Sequence, residues 1–438
     1  MASGDTRPHH HHLEADGSLR TVKLPIERVS RCDACSTTPK DGQLKLCSAC
    51  GERLYCSSAC QSVDWKFHKK SCGKTDRIDL GIYHPLLALI AEKCRMNVQT
   101  HPPDGVHFAI NHQILNHPSP DSPPVLLPGG FQARPVILGG EIPLSPNMDK
   151  IWWPSAPSPQ VASKLKRRIL RGGNNLPINI AICVALLSEI YTTDSSKGSK
   201  PRIRLAYKSS PIADFGIVVG EAIAQPQDRL AYYDAATGNV TVDQDPREHS
   251  WIYFTTVRRE DIFLDCGMFH FNACTVVSTK GYCPSAVSDL FPVVPVLFYG
   301  REMRNGVPGM PCKERERFSV LRNQNLQEAI QHTPYTLWFD DRIKIWDFLE
   351  NCQGDKESTI EQRRLVDLYT IVAMDAIKKS VESSEWKKFP SEVTQGIETD
   401  PGERDYTNFT EQDWEQHLAR WKKQINQVKK EARKRNKV

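Results

Sequence analysis

Seven of the chain's 14 cysteines fall between Cys32 and Cys72, and together with His68 they fall in four pairs. The spacing reads Cys32-x2-Cys35, Cys47-x2-Cys50, Cys56-x3-Cys60 and His68-x3-Cys72. Four ligand pairs fill two tetrahedral sites with none left over. That is the make-up of closed structural zinc centres; a catalytic zinc keeps one position for water. A Cys-x2-Cys turn brings two sulfurs to one ion, and His68 and Cys72, four apart, leave one face of a helix. A segment this short buries too little apolar surface to fold alone, so the metal supplies the folding free energy. Spacing by itself leaves open whether the pairs share ions sequentially or in an interleaved order.

A disulfide framework suits the segment poorly. The cysteine count is odd, and the N-terminus, "MASGDTRPHHHHLEADGSLR", lacks the apolar core of a secretory signal. The chain is expected in a reducing, intracellular setting, cytoplasm or nucleus, where clustered cysteines hold metal.

The stretch "YCSSACQSVDWKFHKKSC" resembles the second half of a MYND-type zinc finger, and the whole of 32–72 follows that pattern, including Tyr55, Gln61 and the Asp64-Trp65 dipeptide. The resemblance implies interleaved sites: Cys32, Cys35, Cys56 and Cys60 on one zinc, Cys47, Cys50, His68 and Cys72 on the other. It also implies a protein partner, a proline-rich peptide segment, met by Ser48, Gln61 and Trp65. An indole face can stack on proline rings, and a glutamine amide can meet the carbonyls of an extended backbone. Lys66, Lys69 and Lys70 read as a solvated face. The formal charge of +5 is too mild to argue for nucleic acid.

The remainder of the 438 residues exceeds one ordinary core. Residues 1–26 read as a disordered polar tail. A mixed α/β body is expected over 80–390, with a linker over 391–409 and a basic amphipathic helix over 410–438, so the fold class is α+β. "LGIYHPLLALIAEKCRM" has helical apolar spacing from Pro85, and "HPSPDSPPVLLPGGFQARP" reads as irregular surface. "NLPINIAICVALLSEIY" is a strongly apolar helix, with Asn175 near its cap and Pro177 in its first turn. "FGIVVGEAIA", "WIYFTTV", "DIFLDCGMF" and "VVPVLFYG" are strand-like. In the last segment Trp414, Leu418, Trp421, Ile425, Val428 and Ala432 form one helical stripe. No run is apolar and long enough to span a membrane.

One constellation in the body invites chemistry. In "HSWIYFTTVRREDIFLDCG", His249 opens a strand-like run and Asp265 closes the next. The phrases faintly resemble transglutaminase-like or papain-like cysteine enzymes, which would need a thiolate, a histidine base and an orienting aspartate. The candidate thiols are poorly placed: Cys183 lies two turns into its helix, and neither Cys266 nor Cys274 begins one. Methyl transfer by a SET domain is disfavoured, because only the fragments "NHP" at 116–118 and "GEA" at 220–222 echo its motifs. No glycine-rich nucleotide motif is present. The reading that emerges is a zinc-binding interaction protein without enzymatic activity, no nucleotide cofactor and no catalytic residue assigned.

Overall fold

The computed structural model describes residues 20–27, 30–38, 44–70, 72–96, 107–116, 118, 124–127, 130–142, 151–193, 202–306, 311–331, 337–398, 410–412, 415 and 419. It shows a small N-terminal metal-binding lobe followed by a larger mixed α/β body.

Among the described residues the lobe has one helix, α1 (Ser58–His68). The chain leaves it into strand β1 (Thr75–Asp79) and helix α2 (Leu80–Met96) of the body. α2 begins before Pro85, because the Asp79 carboxylate accepts the Gly81 N–H at 2.8 Å and nucleates the turn.

The main sheet uses β1 with β2 (Arg202–Tyr207), β3 (Ser210–Ala222), β4 (His249–Thr256), β5 (Asp261–Asp265), β6 (Leu297–Tyr299) and β7 (Cys312–Ser319). Its order is β6-β5-β4-β3-β2-β1, antiparallel except for the parallel β1–β2 pair. β2 and β7 both pair with β3, β2 at Ser210–Pro211 and β7 along Gly216–Ala222.

The sheet's apolar alternation points one set of side chains at α3 (Asn175–Ile190). This helix is apolar on every side and buried accordingly, packed against β3 and β4 on one flank and α2, α4 (Phe339–Gln353) and α5 (Ile360–Glu382) on the other. α5 starts at a capping box, Thr359 with Gln362. Ile252, Phe254, Ile262 and Leu264 meet Ile182, Leu186 and the neighbouring helices in the main core.

A second layer pairs Gln132–Glu141 in parallel with Leu230–Asp234 and packs the helix Pro159–Ile169 around Trp152 and Trp153. That strand starts inside the segment expected to be irregular surface. Its Arg134 is fully buried, and the guanidinium of Arg168 donates to the carbonyls of Asp228 and His270, tying the layers together.

Two boundaries differ from expectation. Residues 20–26 do not all belong to the polar tail: Thr21–Val22 pair with Thr192–Thr193, and the Lys23 N–H donates to Tyr191. The expected linker over 391–409 opens with Gln395–Ile397 paired to Thr275–Val277, and Arg167 pairs with Glu398 at 2.6 Å. In both places backbone pairing, which needs no side-chain pattern, orders a polar segment. The stripe from Trp414 to Ala432 lies outside the described residues. Among those that are described, no helix is long and apolar enough to cross a membrane.

Candidate functional site

The metal lobe is a short hairpin, Lys45–Leu46 against Leu54–Tyr55, feeding α1. Ser57 caps that helix by accepting the Cys60 N–H at 3.2 Å. The Asp33 carboxylate accepts the Leu54 N–H, and the buried Tyr55 hydroxyl donates to Asp64 at 2.7 Å. These bonds fix the loops from which the cysteines project. The Asp64-Trp65 dipeptide thus has a structural half, Asp64, and an exposed half, Trp65.

The eight ligands gather into two sets, Cys32/Cys35/Cys56/Cys60 and Cys47/Cys50/His68/Cys72. This is the interleaved order. In the first set Cys35 and Cys56 sulfurs lie 3.6 Å apart and Cys56 and Cys60 3.5 Å. In the second, Cys47 and Cys72 are 3.6 Å apart, and His68 Nε2 stands 3.2 Å from Cys50 and 3.4 Å from Cys47. Zinc bonds of about 2.0–2.3 Å imply tetrahedral edges of roughly 3.3–3.8 Å, so the donors already stand at the corners zinc requires. Four thiols this close cannot all ionise unaided. Burial pushes the Cys50 thiol up to about 12, and hydrogen bonding with Cys60 does the same for Cys56. A divalent ion resolves the crowding by binding thiolates, and the residues fit two structural zinc ions.

Ser48, Gln61 and Trp65 all lie on the lobe's exposed surface, and the indole is 46% accessible. Trp65 stands edge-on to His68, ring centres 6.0 Å apart. α1 also exposes Val63 and Phe67, which sequence reasoning passed over. They are four apart on a helix, and that spacing was the available signal. The lobe is not free of the body. Arg77 of β1 donates to the Ser48 carbonyl at 3.4 Å and lies beneath Gly51, whose φ of +65° turns the chain there.

In the body, His249 and Asp265 do come together, with Nε2 to Oδ2 at 2.6 Å and both side chains fully buried. The thiols named with them do not. Ser250 faces α3, where Asn179 donates to it, so the alternation of β4 aims His249 at the opposite face. Cys183 and Cys266 pack in the main core on the α3 side, and burial pushes the Cys266 thiol up to about 12. Cys274 belongs to a separate small cluster with Phe269 and Val276. Cys312, at the start of β7, is the thiol that joins His249 and Asp265. Sequence reasoning missed it because β7 reads as the charged run "CKERERFS". The fragment "GEA" at 220–222 is simply the end of β3.

Comparison with known proteins addresses the metal lobe alone. Residues 32–72 match the family model described as MYND finger. The chain is similar to "Histone-lysine N-methyltransferase ASHR1" of Arabidopsis thaliana, 44% identical over 50 residues, which are 11% of this chain and 10% of that protein. It is also similar to "SET domain-containing protein 14" of Caenorhabditis elegans, 49% identical over 43 residues, 10% of each. The chain therefore spans about a tenth of the length of these relatives. No solved structure matches. Residues 32–72 are a MYND-type zinc finger, a protein-interaction module carried at the front of this α/β body.

Proposed function

We propose that the chain is a zinc-dependent recruitment protein whose finger docks a proline-containing peptide of a partner, doing no chemistry on it. The exposure of Trp65 carries this reading. A large indole left 46% accessible on a rigid lobe forgoes burial that would stabilise the fold, and an accessible aromatic is what a polyproline strand stacks on. Gln61, one helical turn before Trp65, supplies an amide for the peptide carbonyls. The names of the two relatives describe whole proteins that share the finger, and the proposal draws on the finger alone.

The test is a titration of the full chain with a synthetic proline-rich peptide, comparing wild type with Trp65→Ala. Affinity is expected to fall at least about tenfold, since exposed aromatic anchors dominate such contacts, while zinc content stays at two equivalents. Equal affinity with zinc retained overturns the proposal.

A further inference from the structure

The outer face of the main sheet carries a second cluster, independent of the finger. His249 on β4, Asp265 on β5 and Cys312 on β7 place an imidazole nitrogen, a carboxylate oxygen and a sulfur within 4.8 Å of one another. Register explains the meeting. Gly220 pairs with His249 on one side of β3, and Ala222 pairs with Cys312 on the other. Gly220 has to be glycine, because a side chain there would run into the Lys313 carbonyl and the Trp251 ring.

The geometry separates two uses for such a cluster. In the finger, neighbouring donors stand 3.2–3.6 Å apart, as tetrahedral coordination demands. His249 Nε2 and Asp265 Oδ2 are 2.6 Å apart, too close for two ligands of one ion and right for a charge-assisted hydrogen bond. Asp265 Oδ1 accepts the N–H groups of Gly267 and Met268 at 2.8 and 3.0 Å. A carboxylate held as acceptor on both oxygens obliges Nε2 to carry the imidazole proton. Nδ1 then keeps its lone pair and faces the Gln244 amide nitrogen at 3.4 Å. This is a base with its tautomer set by a buried carboxylate.

Two buried polar atoms beside it have no partner among the described residues, the Trp251 indole N–H and Gln244 Oε1. The Trp251 ring is 1% exposed and stacks at 5.8 Å on His249. An unsatisfied buried donor is destabilising, and a ligand oxygen would satisfy it. Cys312 is half-buried as a residue, and its thiol lies 3.7 Å from the Met268 sulfur beside Ala222, Ala224, Phe271 and Leu297. That apolar surrounding sets the class of acyl group as apolar.

We propose that Cys312, His249 and Asp265 form an acyl-transfer site that accepts esters or thioesters of apolar acids. Cys312 Sγ bonds to the acyl carbon while its proton passes to the His249 imidazole. The alkoxide or thiolate leaving group departs with that proton, leaving an acyl-thioester on Cys312. Water then attacks the same carbon, giving its proton to the imidazole, and the free acid leaves as the thiol is restored. Asp265 is a positioning residue. General-base removal of the proton is the route open to a buried neutral thiol, as it is to a serine hydroxyl.

The experiment uses the zinc-loaded full chain and p-nitrophenyl butyrate, with peptide mass spectrometry to locate the butyryl group. Wild type is expected to acquire butyryl on Cys312 and release p-nitrophenolate, and Cys312→Ala to do neither at any site of the body. His249→Gln is expected to slow acylation by on the order of 100-fold at neutral pH. Absence of the Cys312 adduct in folded wild type overturns the proposal, as does a wild-type rate in folded His249→Gln. Should that variant fail to fold, Asp265→Asn decides: slower acylation of Cys312 supports the site, and a wild-type rate in that folded variant overturns it.

Discussion

The Trp65 indole stands edge-on to the His68 imidazole at 6.0 Å and 73°, so the residue proposed to meet a partner rests against a metal ligand. On that proposal, docking surface and metal cage are one mechanical unit. Stripping zinc with a strong chelator should therefore abolish peptide binding and hydrogen-exchange protection over 44–70 together, while the α3 amides stay protected. Elemental analysis should find two zinc equivalents beforehand. Retained protection over α1 after metal removal would contradict the coupling.

Gly51 combines a positive φ with a close approach to the body. A Cβ there would lie 2.8 Å from both Arg77 Nη2 and Pro211 Cγ. Gly51→Ala is expected to destabilise the seating of the finger by about 1–2 kcal/mol, the ordinary cost of a left-handed conformation. Hydrogen exchange across 45–55 reads it, as faster exchange in the variant. Exchange in α4, which packs on α3 and α5, should be unchanged.

Arg171 and Glu92 form a fully buried ion pair at the end of the second layer's helix, and Arg171 also sits over the Phe269 ring. Arg171→Met leaves the Glu92 carboxylate without its partner. A loss of roughly 3–5 kcal/mol in urea unfolding is expected. A double substitution, Arg171→Met with Glu92→Leu, should recover much of it.

His84 stacks on Phe298 with ring centres 4.1 Å apart, and burial pulls its imidazole down to about 4. The unfolded chain takes up this proton near pH 6.5 and the folded chain does not. The contribution is therefore full above pH 6.5 and is lost as pH falls from 6.5 to 4. It amounts to on the order of 3 kcal/mol. Urea midpoints should drop between pH 7.5 and 5, and His84→Leu should flatten that slope. An equal slope in the variant would assign the acid sensitivity elsewhere.

Local pattern was a good guide wherever the interaction was local. The α3 segment read as an apolar helix and is one, because its composition suits burial all round. "WIYFTTV" and "DIFLDCGMF" read as strands and form β4 and β5, with Ile252, Phe254, Ile262 and Leu264 in the core. The charged run that became β7 was not legible. Its side chains are mostly exposed, and what holds it is the backbone of β3. The same holds for residues 20–22 and 395–397, ordered by pairing with strands far along the chain.

The amino-acid sequence alone determined the metal centres. Their ligands lie within one short segment, and the spacing and softness of sulfur and imidazole dictate which ion they hold and how many. Which thiol meets His249 was decided only by tertiary structure. Cys183 rides on α3, pleating sends Cys266 to that same face of the sheet and His249 to the other, and the pairing of β7 with β3 delivers Cys312. Face and register are non-local properties, set by which strands hydrogen-bond and in what alignment, and no window of residues around a cysteine records them.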